Sequence, residues 1–484
     1  MSTFFGLNIA RLGMQAQQKA LEVTSHNIAN ANTPGYSRQV AHMTPTAAMP
    51  YAQKGMLGSG VLVDEIDRIR DAFLDRQIRH EQHTLGQWKA RSAYLEQIEQ
   101  IFMEPTESGF NAVLSTFFDS WQELSINPEN SSARTAVIEN ANFLINTIKH
   151  TAGSLTNVHN DITANIELKV NEINSLATQI SDLNQQITSL VTRNDQPSDL
   201  MDRRDLLLEQ LAEIIDFDLS VSTNGSVNVY VAGRPLVHEN ISYELKTAPG
   251  GTQDNWTLAP KIVWAKDNQE VHIGNGEIYG LTKLHDDNLR SYLQDFEIMT
   301  WAIVKAVNDA HKQGIDLNGD AGLDFFQGTD LQNLRVNSDI SSDPAKIAAA
   351  LPDPNNPPGT PQPGDGSNAV AIAQLRNSRF RLDLTAADIK DRLVQDAQGS
   401  TTLEFFYRDT ISRLGVDTQE SIRMRENQTA MLELMTNRRM SISGVSLDEE
   451  MANMVQFQLA YQASARFIAT LDEIYNTLIN GMIR

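Results

Sequence analysis

Two histidines, His80 and His83, stand one helical turn apart, the spacing at which a helix offers two imidazoles to one metal ion. A metal site there needs a third ligand or the HExxH arrangement, and neither is present, so the pair reads as solvated surface histidines. Asp316-Leu317-Asn318-Gly319-Asp320 begins in the manner of a calcium loop. Its glycine position holds Ala321 and its twelfth position Gln327 in place of a bidentate glutamate, which leaves an ordinary acidic turn. Gly274-Asn275-Gly276 reads as a turn, not a phosphate cradle, and no segment arranges Ser, His and Asp as a nucleophile elbow. Trp256 and Trp264 could line a groove, but in a small β unit aromatic residues more simply fill the core. No catalytic, metal-binding or cofactor-binding residue is expected, and the chain does not read as an enzyme.

Composition bounds what remains. A chain of 484 residues outgrows a single core and divides into about two to four domains. Lys and Arg number 39 against 61 Asp and Glu, a net charge of −22 that repels nucleic acid and anionic membrane. Cysteine is absent, which excludes disulfides, thiolate metal sites and cysteine nucleophiles. Met1 to Leu7 lack a basic segment, a long apolar run and a small-residue cleavage site, so export, if it occurs, is expected without a cleaved signal peptide. No stretch is long and apolar enough to span a bilayer.

The periodicities give the elements. Leu7, Met14, Leu21 and Ile28 recur every seven residues, an amphipathic helix ended by Thr33-Pro34-Gly35. Proline cannot continue the helix and glycine takes the positive φ of a type II turn, so the chain runs extended after Tyr36. A helix follows from Asp71 to Pro105 through Leu74, Ile78, Leu85, Trp88, Leu95, Ile98 and Phe102. Another starts near Arg134, with Ile145, Ile166, Ile173, Ile180 and Ile187 in one heptad register and Ile148, Leu155, Ile162, Leu176, Leu183 and Leu190 three positions on. His159 and Lys169 are polar interruptions of that seam. The period then drops to two around an Asn224-Gly225 hairpin, with further strands at Tyr243–Leu245, Lys261–Trp264 and Val271–Ile273. Helix returns from Leu293 to Ala310 and again from Thr401. After a break at Ser441–Gly444, Leu447, Met454, Tyr461, Ile468, Tyr475 and Met482 recur every seven residues, widened by Phe457, Leu471, Ile474 and Leu478.

The fold class is mainly α with one small inserted β domain, an α+β multidomain chain. Residues 1–70 and 441–484 form a terminal assembly domain, its helices paired as a coiled coil and followed by an extended segment. Residues 71–205 and 283–440 form a long helical bundle, 206–282 the β insertion, and 339–366 a surface loop rich in Pro357, Pro358, Pro361 and Pro363. A buried large side chain contributes roughly 1.5–3 kcal/mol, while ordering each residue's backbone costs about 1–2 kcal/mol. A narrow terminal stripe barely offsets its own ordering. Leu7, Met14, Leu21, Ile28, Leu447, Met454, Tyr461, Ile468, Leu471, Tyr475, Leu478 and Met482 are therefore read as an assembly interface, with Pro34, Gly35 and Tyr36 as the turn leaving it. An intramolecular helix pair closing the core is the competing reading.

Ser25-His26-Asn27-Ile28-Ala29-Asn30-Ala31-Asn32-Thr33-Pro34-Gly35-Tyr36 resembles the N-terminal signature of the rod, hook and hook-associated axial proteins of the bacterial flagellum, with His26 where Asn is usual. Tyr36-Ser37-Arg38-Gln39, Asp199-Leu200-Met201-Asp202-Arg203-Arg204-Asp205-Leu206-Leu207 and Ser441 to Met451 with Ala460 to Arg466 narrow the resemblance to the hook-associated branch at the hook-filament junction. Ser446 stands where Asn is common. The resemblance implies a secreted structural subunit in the extracellular flagellum, a ring of copies joining hook to filament, with terminal helices inside. It implies contacts with itself, the hook protein and the second junction protein, type III export, and capture of the C-terminal helix by a cytoplasmic chaperone. Another axial protein, hook or distal rod, is the alternative; an exported adhesin or enzyme using the β domain is a third.

Overall fold

The computed structural model describes residues 4–50, 55–102, 109–193, 195–253, 256–353, 355, 357, 359–383 and 385–481. Met1 to Thr3, Pro105, Pro358 and Met482 lie outside the described residues. The fold is mainly helical with small antiparallel sheets, as the periodicities predict.

Helix α1 (Phe4–Asn30) leads into strand β1 (Gln39–Pro45), the short β2 (Met49–Pro50) and β3 (Met56–Leu57), and β4 (Val61–Arg68), which pairs antiparallel with β1. Helix α2 (Ala72–Phe102) follows, then α3 (Phe110–Ile126), which no sequence reading anticipated although it buries Phe110, Phe117, Phe118 and Trp121. The 61-residue α4 (Ser131–Val191) is capped by Asn130, whose side chain accepts from the Ser132 and Ala133 amides. Ile145, Ile166, Ile173, Ile180 and Ile187 are all buried along it, and Leu190 is half-buried.

Helix α5 (Ser198–Ile214) continues beyond 206, so the strands begin only at Asp218. Its close contact with α2 depends on Gly86, where an added Cβ would lie 1.9 Å from the Glu213 carbonyl oxygen. Strands β5 (Asp218–Val221), β6 (Val227–Val231), β7 (Arg234–His238) and β8 (Ile241–Ser242) form a four-stranded sheet in that order, and the first hairpin turns at Gly225 with φ 81°. Next come β9 (Leu245–Ala248), β10 (Thr252–Gln253), β11 (Trp256–Thr257) and β12 (Lys261–Trp264), with β9 paired to β12. Val271–Ile273 is not a strand; only an isolated bridge from Glu270 to Val263 stands there. The apolar faces of these strands and of α4 belong to one core, so the β unit is packed on the bundle.

Helix α6 (Glu277–Lys283) passes through a π-helical stretch, Leu284–Leu289, into α7 (Arg290–Gln313). The expected surface loop begins only after Ala350. Residues 339–350 include part of α8 (Ser338–Ser342) and bury Ile340 and Ile347 to Ala350, because Arg134 gathers the Pro344, Ala345 and Ile347 carbonyls beneath them. After α9 (Ser367–Gln374), helix α10 (Leu403–Ser443) packs along α2 and α11 (Leu447–Gly481) returns along α1. The break between α10 and α11 falls at Gly444, since Ser441 to Ser443 remain helical.

Candidate assembly interface

His83 is buried, contrary to the solvated reading, because its Nδ1 donates to the Ala212 carbonyl 2.6 Å away on α5; His80 stays exposed. Burial lowers the His83 pKa, so the ring is neutral. Asp316 accepts from the Asn318 and Asp320 amides in a compact turn, and Trp256 and Trp264 are buried.

The terminal helices pair antiparallel. Gly6 faces Phe467 and Leu471, Gly13 faces Ser464, and Asn27 reaches Glu450, so each heptad of α1 meets one of α11. The fully buried apolar positions of α1 are Ala10, Ala16, Ala20 and Val23, small side chains that let the helix approach both α11 and the β1–β4 ribbon. Leu7, Met14, Leu21 and Ile28 are only half-buried. On α11, Met454, Tyr461, Ile468, Leu471 and Tyr475 are half-buried, whereas Leu447 and Leu478 are 46% and 48% exposed. No apolar residue of α11 is fully buried among the described residues, and Met451, Val455, Leu459, Phe467 and Ile474 add further exposed apolar surface.

The chain turns at Thr33 to Tyr36. The Tyr36 amide donates to the Thr33 carbonyl across Pro34 and Gly35, and Gly35 takes φ 80°. Behind it lies a pin that sequence patterning did not identify. Asn27 has no exposed surface, and its amide donates to the Gln39 carbonyl at 2.9 Å and Glu450 at 3.0 Å. Its carbonyl accepts from the Gln39 amide at 2.9 Å and the Tyr36 hydroxyl at 2.8 Å. Burial, reinforced by Asp199, Asp202 and Glu450, holds the Tyr36 phenol well above its ordinary pKa, which keeps it a donor. Arg38 completes the attachment: its amide donates to the Ser443 carbonyl and its guanidinium binds Glu449 and Glu450 at the start of α11.

Below the pin, α5 presents Asp199, Asp202, Asp205 and Glu209 at spacings of three, three and four, hence on one face. This acidic row receives the arm. Gln39 donates to Asp199, and the Ser37 amide and hydroxyl both donate to Asp202 at 2.7 Å. Arg68, at the end of β4, binds Asp202 and Asp205 at 2.8 and 2.6 Å. Arg70 chelates Asp75 while meeting Asp205 at 3.0 Å, and Arg439 of α10 pairs with Glu209. Burial alone would raise the Asp205 pKa; Arg68, Arg70 and Arg204 outweigh it and hold the carboxyl below the ordinary range. The Arg70 guanidinium is shifted the other way, because Asp205, Asp75 and Asp202 overcome its own desolvation. Five segments thus meet in one charge-matched joint that orients the terminal helices on the body. Resemblance pointed to residues 199–207; their partners, lying far off in sequence, give no local signal.

Residues 95–326 match the family model of the flagellar hook-associated protein FlgK helical domain. Residues 7–36 match that of the flagella basal body rod protein, and residues 436–481 that of the flagellar basal body rod FlgEFG protein C-terminal. The chain is 31% identical to flagellar hook-associated protein 1 of Bacillus subtilis over 99% of both chains. It is 28% identical to flagellar hook-associated protein 1 of Escherichia coli, over 98% of this chain and 99% of that one. The structure of the flagellar hook junction protein FlgK from Burkholderia pseudomallei shares the fold, with a TM-score of 0.64 at 16% identity, over 76% of this chain and 100% of its own.

Proposed function

We propose, from the premise that the chain belongs to the flagellar hook-associated protein 1 family, that it is a structural subunit at the flagellar hook-filament junction and polymerises there through its terminal helices. One observation carries the assembly step: α11 keeps its apolar positions half-buried or exposed although α1 runs alongside it. A two-helix pair covers one face of each helix, and neighbouring copies in a ring would cover the rest. The half-buried Leu7, Met14, Leu21, Ile28, Met454, Tyr461, Ile468, Leu471 and Tyr475, with the exposed Leu447 and Leu478, make up this proposed assembly interface. The hook protein and the second junction protein are the axial neighbours of such a ring. Before assembly the same stripe suits capture of α11 in a chaperone groove, consistent with export of an unfolded, cysteine-free chain. Among the described residues no helix is long and apolar enough to cross a membrane.

Immunogold electron microscopy of an epitope-tagged chain on intact flagella tests the reading. Label confined to a narrow band between hook and filament is expected. Label along the whole hook or in the rod would assign the chain to another axial role instead.

A further inference from the structure

His159 occupies the register of Ile145 and Ile166 on α4, where the seam calls for an apolar side chain. Its ring lies edge-on to Trp256 of β11, centroids 4.7 Å apart, and 4.4 Å from the ring of His285 on the π-helical stretch. Trp256 and His285 are themselves 5.5 Å apart, which closes a triangle of rings between bundle and β unit. His285 has no exposed surface and Trp256 is 9% exposed. His159 Nδ1, His285 Nε2 and Trp256 Nε1 are buried with no hydrogen-bond partner among the described residues.

The charged neighbours do not compensate. Asp286, the carboxylate nearest the rings, is bound by His285 Nδ1 and the Ala259 amide, both at 2.7 Å. Lys261 pairs with Glu270 and Lys283 with Asp287 along the adjoining groove, and Asp161 on α4 is exposed. Among the described residues the other polar pins of the β unit to α4 are amides and one hydroxyl pair, Thr178 with Ser242, none of which titrates. Asn174 bonds both backbone groups of Leu245, while Asn184 holds Val227 and Glu239. The ring cluster is therefore where a proton can alter the attachment.

We propose that His159, packed against Trp256 and His285, is an acid-operated latch whose protonation frees the β11–β12 segment and the facing π-helical stretch from α4 while the rest of the body stays folded. Burial, with His285 adding to it, lowers the His159 pKa to about 4, and Asp286 does not offset them. A histidine depressed in the closed form favours closure above its free pKa, about 6.5, and loses that contribution as pH falls toward the depressed value. The latch is thus closed at neutral pH and opens in acid. It concerns the β unit and does not depend on the assembly role.

Hydrogen exchange of the full chain, corrected for intrinsic rates, tests it. Between about pH 7.5 and about pH 4.5 the opening equilibrium of residues 256–264 should rise roughly twenty- to hundredfold. Residues 227–231, pinned by Asn184, should change far less. His159→Phe should abolish the response, and His311→Gln should leave it intact. Equal protection at both pH values, or the same acid response in His159→Phe, would overturn the proposal. If the Phe variant does not fold, His159→Gln and a wild-type histidine NMR titration decide: titration of His159 above about pH 6 rejects the latch.

Discussion

Asn27 concentrates four hydrogen bonds in one buried amide, and its nitrogen lies between the Gln39 carbonyl and the Glu450 carboxylate. Asn27→Ala leaves the Gln39 carbonyl without its partner and Glu450 with Arg38 alone, at a cost of about 2–4 kcal/mol to the local pairing of α1 with α11. Asn27→Asp should be worse, since it sets a second carboxylate against Glu450. Exchange protection of residues 447–455 should fall in the order wild type, Ala, Asp; equal effects would show that the amide nitrogen does not matter. His311 is a buried residue of another kind. Its Nδ1 donates to the Leu323 carbonyl at 2.6 Å and its Nε2 accepts from the Ala348 amide at 2.9 Å, so only the neutral ring fits. Burial lowers its pKa to about 4. The unfolded state takes up the proton first, so stability present above about pH 6.5 is lost as pH falls toward 4, on the order of 3 kcal/mol from this group. Chemical denaturation across that window should show this slope, and His311→Gln should flatten it.

At the scale of elements, the C-terminal helix separates assembly from folding. Ile468 is half-buried, in a stripe that contributes nothing to the main core. Ile468→Asp should change the stability of the monomer by about 1 kcal/mol or less, yet abolish incorporation into flagella and release the chain into the medium. A large drop in the melting temperature of the monomer would instead make α11 part of an ordinary intramolecular core. The heptads of α4 and the Pro34-Gly35 turn were legible because their signals lie within a few residues. What was not legible depends on distance along the chain. Asn27 finds Glu450 across 423 positions, His83 is drawn inward by a carbonyl on α5, and the acidic row of α5 acquires meaning only opposite Arg68, Arg70 and Arg439. Half-burial of the α1 leucines was also hidden, because alanines hold the buried positions there.

For the whole molecule, the buried core shows where the chain divides. Its residues run from Ala90 to Leu414 and include none from α1, the β1–β4 ribbon or α11. The arm meets the body chiefly through polar joints, Ser37, Gln39, Arg68 and Arg70 against the acidic row of α5, and α11 adds Glu449 and Glu450 through Arg38. Removing Leu447–Arg484 therefore takes no apolar contact from the core. It does leave Asn27 without Glu450, and it uncovers the face of α1 that meets Phe467 and Leu471. A single helix of 27 residues with one face on a two-stranded ribbon retains little tertiary support. The truncated chain should unfold at nearly the wild-type temperature, within the few degrees expected when no core contact is lost. Exchange protection of residues 4–30 should fall toward that of an isolated helix. Protection over α4 should remain. A body that melts well below the wild type would mean that α11 stabilises the bundle across the acidic joint, and arm and body would then be one cooperative unit.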